Sequence, residues 1–414
     1  MAILKPFRGI RPQKEKVRSI ASKPYDVLDD KEARVEAGDN LNSFYHVIKP
    51  EIDFPDDFDH YSPEIYQKGK ENLERMIREG IFFQDQKDCY YIYRQTMDGR
   101  SQSGLVGCAG IEDYFNDIIK KHELTRPDKE EDRKNHVRVS KMNYEPVFFA
   151  YPANKELDSI VNRIMASAPE YDFVSDDGIG HTFWVVSDTE TIKNITSAFS
   201  KIPATYVADG HHRTAAAALV GKELKQKNLS HNGSEEYNFF LAVHFPDNQL
   251  KIFDYNRVVK HLNGLSSSEF LKRMTESFTI EEKGTKTFRP GKLHNFGLYL
   301  EGKWYSLTAR PGTYNDSDPI GVLDVTILSE RILAPLLGIK DLRTDKRIEF
   351  VGGIRGLGEL EKRVNNGNMK AAFALHPVSM KQLTDIADSG KIMPPKSTWF
   401  EPKLRSGLVI HSLN

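Results

Sequence analysis

Cysteine is scarce in this chain: Cys89 and Cys108 are the only two in 414 residues. Their spacing suits neither a metal site nor a Cys-x-x-Cys redox pair. No disulfide framework is expected, and a reducing cytoplasmic compartment is the natural setting. Surplus charge is missing too. Fifty-eight Lys and Arg stand against 59 Asp and Glu, so no global field draws the chain to nucleic acid or membrane, and any anion site must be local. No apolar run approaches the roughly 20 residues that span a bilayer. The start, Met1-Ala2-Ile3-Leu4-Lys5-Pro6-Phe7-Arg8, turns to charge before a signal-peptide core could form. Internal repeats and low-complexity tracts are also lacking. What remains is a soluble globular composition, 39% hydrophobic and 28% charged, long enough for two or three domains.

The most informative stretch present is Thr205-Tyr206-Val207-Ala208-Asp209-Gly210-His211-His212-Arg213-Thr214, followed by Ala215 to Ala218. A β-branched and aromatic run predicts a strand, Gly210 a turn, and the alanines a helix. The first amides of such a helix have no intrahelical partner and carry the positive dipole end, a ready site for phosphate. Arg213 supplies a fork-shaped phosphate partner. His211 and His212 stand beside it, and Asp209 could hold a magnesium ion between phosphates. A plain cap is the competing reading, with Asp209 as N-cap and Gly210 there only for backbone freedom. Four functional residue types within five positions favour the ligand site.

Elsewhere, Ser43 to Pro50 reads as a short strand closed by proline. A helix is expected from Ser62-Pro63-Glu64 to Gly80. Asp88 to Gln95 and Ser103 to Ile111 should form a hairpin across Asp98-Gly99. The run Lys120-Lys121-His122-Glu123-Leu124-Thr125-Arg126-Pro127 is either a solvated face or the rim of a site. Pro146 to Tyr151 and Thr182 to Val186 read as strands, Glu156 to Ser167 and Ile192 to Phe199 as helices. Asn238 to Phe245 is an apolar strand with Gln249 to Phe253 as its expected hairpin partner. Beyond residue 262 a second α/β unit is expected: helices Ser267–Phe278, Leu323–Leu337 and Ser379–Ser389, a hairpin across Glu301-Gly302-Lys303, and strands at Phe350–Gly353 and Ala371–His376. Trp399 and Phe400 near the end should pack back onto the body.

Taken together, Pro24-Tyr25-Asp26-Val27, Lys121-His122-Glu123-Leu124-Thr125 with Asp132-Arg133, Asp209-Gly210-His211-His212-Arg213, Leu323-Asp324-Val325-Thr326 and Pro395-Lys396-Ser397-Thr398 resemble a widespread prokaryotic family known as a domain of unknown function. The Asp-Gly-His-His-Arg turn is also similar to the phosphate turn of the ParB/sulfiredoxin superfamily, which includes free serine kinases. That resemblance implies an α/β (α+β) fold of mixed sheets, a strand-turn-helix phosphate site and a second C-terminal α/β unit. The regions would be 1–115, 116–262 (the catalytic one) and 263–414. It implies Glu123, Asp209, His211 and His212 as the catalytic set, with Asp209 also the metal ligand. Gly210, Arg213, Thr214, Lys121, Arg133, Lys396, Ser397 and Lys403 would bind phosphate or nucleotide, and Tyr25, Asp26, His122 and Thr125 the acceptor.

The implied cofactors are Mg²⁺ and ATP or ADP. The implied partners are an amino acid and a nucleotide, with no membrane or nucleic acid, and a homo-oligomer is compatible with it. The alternative is a ParB-like nucleotide-binding or hydrolysing regulatory module. In compact kinases the glutamate and the turn lie closer than here, where 86 residues separate them (209 minus 123). Residues 151–202 are therefore expected to be an insertion.

Overall fold

The computed structural model describes residues 1–414. The chain is α/β and divides into two units, Met1–Leu250 with Pro402–Asn414, and Lys251–Glu401. The expected break between residues 115 and 116 is not observed, because strands from both sides of it share one sheet.

That sheet, in the first unit, has nine strands: β1 (Leu4–Lys5), β2 (Tyr90–Met97), β3 (Arg100–Gly110), β4 (Ile119–Lys120), β5 (Val147–Tyr151), β6 (Tyr171–Val174), β7 (Gly180–Val186), β8 (Thr205–Asp209) and β9 (Phe239–Pro246). Their order is β4-β8-β5-β9-β3-β2-β7-β6, with β1 on β3. Five helices of this unit matter below: α1 (Pro63–Arg78), α2 (Pro127–Ser140), α3 (Lys155–Met165), α4 (Thr189–Phe199) and α5 (His211–Lys227).

The local reasons are readable. Asp98 and Gly99 both have positive φ, 51° and 74°, the turn that matches strand twist in the β2–β3 hairpin. Pro63 opens α1, whose Tyr66, Leu73 and Met76 are buried, and Gly80 at φ 69° follows its end. The alanines of α5 are buried on nearly every side, so small side chains let this helix lie close to the sheet.

Several expectations are corrected. Tyr45–Ile48 is a helical turn followed by the tighter turn Pro50–Asp53, not a strand. Its residues are buried throughout, and a short fully buried run carries no period that separates the two conformations. Ile252–Phe253 does not pair with β9 but with Trp399–Phe400 in the second unit. Both flanks of β9 are already taken, by β3 antiparallel and β5 parallel. Residues 151–202 are no excursion: β6 and β7 extend the common sheet beyond β2, and α3 and α4 bury Leu157, Ile160, Ile195 and Phe199 in one apolar cluster with Tyr90 and Trp184.

The second unit is built on six antiparallel strands, β10 (Tyr255–Val259), β11 (Phe278–Gly284), β12 (Asn295–Leu300), β13 (Lys303–Ala309), β14 (Ile348–Gly352) and β15 (Ala371–Ala374). Their order is β11-β13-β12-β15-β10-β14. The helix expected over 267–278 stops at Met274 because Phe278 begins β11. The apolar helix from Asp324 widens into a π-type turn over Ser329–Leu333 and cannot run on through Pro335. Trp399 does pack back, edge-on to Tyr255 with ring centroids 5.0 Å apart.

Candidate active site

The 86 residues between Glu123 and Asp209 are bridged by topology. Strand β4, which ends just before His122 and Glu123, lies parallel to β8, which ends at Asp209; Thr205 is in register with Ile119 and Tyr206 with Lys120. Two parallel neighbours carry the segments at their C-terminal ends to the same edge of the sheet, where open α/β sheets place their ligands. The rings of His122 and His211 meet edge-to-face at 4.5 Å, and Glu123 Oε2 lies 3.7 Å from His211 Nδ1.

A register shift between Val207 and Asp209 in the β8–β5 pairing re-aims Asp209 at the turn. Gly210 then adopts φ 90°, ψ 37° as the residue before α5, a region that disfavours any residue with a Cβ. A Cβ here would also lie 3.1 Å from the Arg213 guanidinium, so glycine leaves that side chain room to fold back over the turn. Arg213 Nη2 donates to Asp209 Oδ2 at 2.9 Å and Nη1 to the Pro146 carbonyl at 2.6 Å. Lys403 Nζ donates to Asp209 Oδ1 at 2.9 Å.

Burial opposes ionisation of Asp209, but Lys403 and Arg213 outweigh it and hold the carboxyl below its ordinary range. Burial likewise opposes the Arg213 charge, and Glu145, Asp26 and Asp209 overcome it. His122 is pushed down to about 4 by burial, and His211 well below its ordinary value by burial and by His122. Both histidines are therefore neutral at pH 7, so the Glu123–His211 approach is not an ion pair, although its distance would allow one.

Glu145 lies beneath this corner. Its Oε1 accepts from the Tyr25 amide at 3.0 Å and the Ser406 hydroxyl at 3.2 Å. Its Oε2 lies 3.9 Å from Arg133, and burial raises its affinity for a proton. Composition and motif reasoning missed Glu145; its position one residue before the buried run Pro146 to Tyr151 was the available signal. Asp26 is exposed and acts electrostatically on both Arg213 and His212.

Other expected residues have different tasks. Lys121 donates to the Tyr114 carbonyl at 2.9 Å and lies over that ring, so its charge is spent away from the turn. Arg133 is held by Asp132 through Nε and Nη2 and stacks 3.8 Å from the Tyr25 ring centroid; it positions Tyr25 from inside. Thr214 donates its hydroxyl to the Gly210 carbonyl at 2.9 Å, and Thr125 to Glu130 at 2.8 Å, so each hydroxyl proton is already engaged and only the oxygen lone pairs are left. His212 Nε2 accepts from the Arg126 amide at 3.0 Å. Lys396 and Ser397 belong to the second unit.

Asp209 does not fit the role of sole metal ligand: each oxygen already accepts from a cation, and no group of three or more His, Cys, Asp or Glu is arranged to hold a metal ion. On the inner side of Arg213 a cavity of about 40 Å³, lined by Arg133, Glu145 and Ala216 among others, has room for a few waters but not a nucleotide.

No curated protein is significantly similar to the chain. Among solved structures it is similar to a free serine kinase in complex with AMP, at 12% identity over 72% of this chain and 86% of that one, with TM-score 0.32. SbnI with a C-terminal truncation, from Staphylococcus aureus, gives 11% identity over 73% and 85%, with TM-score 0.36. A conserved hypothetical protein from Pyrococcus furiosus gives 14% over 72% and 90%, with TM-score 0.32. No helix of the chain is long and apolar enough to cross a membrane. Residues 4–326 match a family profile across most of the chain, and the chain belongs to that family, described as protein of unknown function (DUF1015).

Proposed function

We propose that this chain is a nucleotide-dependent small-molecule kinase whose acceptor is free L-serine and whose product is O-phosphoserine. The observation that carries the reading is the meeting of a carboxylate and a phosphate-type helix start at one sheet edge, with Glu123 Oε2 3.7 Å from His211 Nδ1. The α5 amides and Arg213 hold the donor phosphates. Lys403 and Asp209 fix the guanidinium so that little reorganisation accompanies binding.

Glu123 takes the proton of the serine hydroxyl. The serine oxygen attacks the terminal phosphorus in line, forming the new P–O bond as the bridging P–O bond breaks, and ADP leaves from ATP or AMP from ADP. His211 stays neutral and so adds no competing cation beside the Glu123 carboxylate. Tyr25, Asp26, His122 and Thr125 border the acceptor, with Asp26 facing the serine ammonium. Charge neutralisation on the donor phosphates would be supplied by Mg²⁺ carried on the nucleotide, since this chain presents no metal-ligand cluster of its own.

Incubation with serine, Mg²⁺ and either nucleotide, read by mass spectrometry for O-phosphoserine, tests this. Product with wild type, and its loss in Arg213→Ala, is expected. Absence of transfer to serine or any small alcohol rejects the kinase and leaves the nucleotide-binding switch, for which serine would not alter nucleotide affinity.

A further inference from the structure

Five arginines of the chain are buried, and four of them face a carboxylate: Arg11 with Asp85, Arg133 with Asp132, Arg213 with Asp209 and Arg405 with Asp177. The fifth, Arg257 on β10 of the second unit, has none. It is 0% exposed. Its Nη2 donates to the Lys396 carbonyl at 2.9 Å, and its Nη1 to the Tyr255 carbonyl. Its Nε is buried without a partner, and the guanidinium lies 5.3 Å from the Phe350 ring centroid. Burial without a counter-charge lowers its affinity for its proton to about 10. A buried cation is ordinarily paired, because removal from water is otherwise uncompensated.

A second cation reaches the same corner. Lys396 sits in the left-handed region at φ 59°, an unusual conformation for a residue with a long side chain. That bend brings its carbonyl to Arg257 and its ammonium over the Tyr255 ring, 5.9 Å from the centroid, rather than onto a carboxylate. Ser397 is buried, and its hydroxyl closes the loop on the Pro394 carbonyl at 2.6 Å.

We propose that Arg257, at the Tyr255 carbonyl, and Lys396, over the Tyr255 ring, form a binding site for a small oxyanion, a phosphate or carboxylate group. The oxyanion replaces the Lys396 carbonyl on Nη2 and occupies the unpartnered Nε, giving the two-pronged geometry that guanidinium offers such groups. Lys396, exposed at the loop, closes on its outer side. This site stands apart from the kinase reading and survives if that reading fails.

Calorimetric titration of the full chain at constant ionic strength tests it, with inorganic phosphate, AMP and acetate as separate probes. The expected result is an oxyanion equivalent that persists in Arg213→Ala and disappears in Arg257→Met. Lys396→Ala, an exposed change, is expected to weaken that equivalent at least threefold while leaving the melting temperature unchanged. Phosphate, AMP or acetate as the tightest probe would identify inorganic phosphate, a phosphoester or a carboxylate as the occupant. The proposal is overturned if none of the three binds, if Arg257→Met keeps the equivalent, or if Lys396→Ala leaves its affinity as it was.

Discussion

Gly210 carries two constraints at once: a backbone at φ 90° and a guanidinium 3.1 Å from where its Cβ would be. Gly210→Ala is therefore expected to cost about 1–2 kcal/mol for the left-handed conformation alone, and to displace Arg213 from Asp209. Scanning calorimetry should show a lowered transition together with weakened nucleotide affinity. A drop in stability with affinity intact would separate the turn from the anion site. Glu123 behaves differently, since its side chain is 42% exposed and lies only partly in the core. Glu123→Gln should leave the melting temperature within a degree or so of wild type and reduce turnover by roughly 10²–10⁴, the usual worth of a positioned general base.

At the level of strands and helices, the buried histidines set the response to acid. His122 comes directly after β4 and is pushed to about 4. His244 on β9, packed between the rings of Phe149 and Phe199, is pushed to about 3 by burial. Unfolding restores each to about 6.5, so the unfolded chain binds protons first as pH falls. Stability is unaffected by these groups above about pH 6.5 and is lost as pH falls from there toward 4. At pH 4.5 each contributes a loss of up to about 3 kcal/mol. Urea unfolding at pH 7 and 4.5 measures this. His244→Phe should flatten the slope, because the variant lacks the buried group that takes up a proton on unfolding.

The same elements show what was legible in the residues and what was not. The hairpins at Asp98-Gly99 and Glu301-Gly302 and the strand-turn-helix at Gly210 were readable, because positive-φ turns and alanine runs are local chemistry. The β4–β8 pairing was not. Parallel neighbours so far apart in the chain leave no local trace, and so Glu123 looked remote and 151–202 looked inserted. Helix α2 hid for another reason: its inner face is polar, with Asp132, Arg133 and His136 buried, so the charged run showed no apolar stripe.

Over the whole chain, the return of Pro402–Asn414 to the first unit matters most. Gln95 donates to the Lys403 carbonyl at 2.8 Å, Arg405 is held by Asp177, Ser406 and Ile410 bridge Ser22 and Ile10, and His411–Ser412 pairs with Met142–Asn143. These contacts deliver Lys403 to Asp209 from almost 200 residues away in sequence (403 minus 209). Deleting 402–414 should lower thermal stability and abolish phosphoryl transfer together. The narrower change Lys403→Met should spare most of the stability and weaken nucleotide binding, since Arg213 then holds Asp209 alone.

The most direct measurement is ³¹P NMR of the full chain with serine, Mg²⁺ and ATP or ADP, run beside Glu123→Gln. A phosphomonoester resonance of O-phosphoserine should grow in the wild type as the donor signal declines, and be reduced at least a hundredfold in rate in the variant. Undiminished transfer in Glu123→Gln, or none to serine in the wild type, would contradict the account.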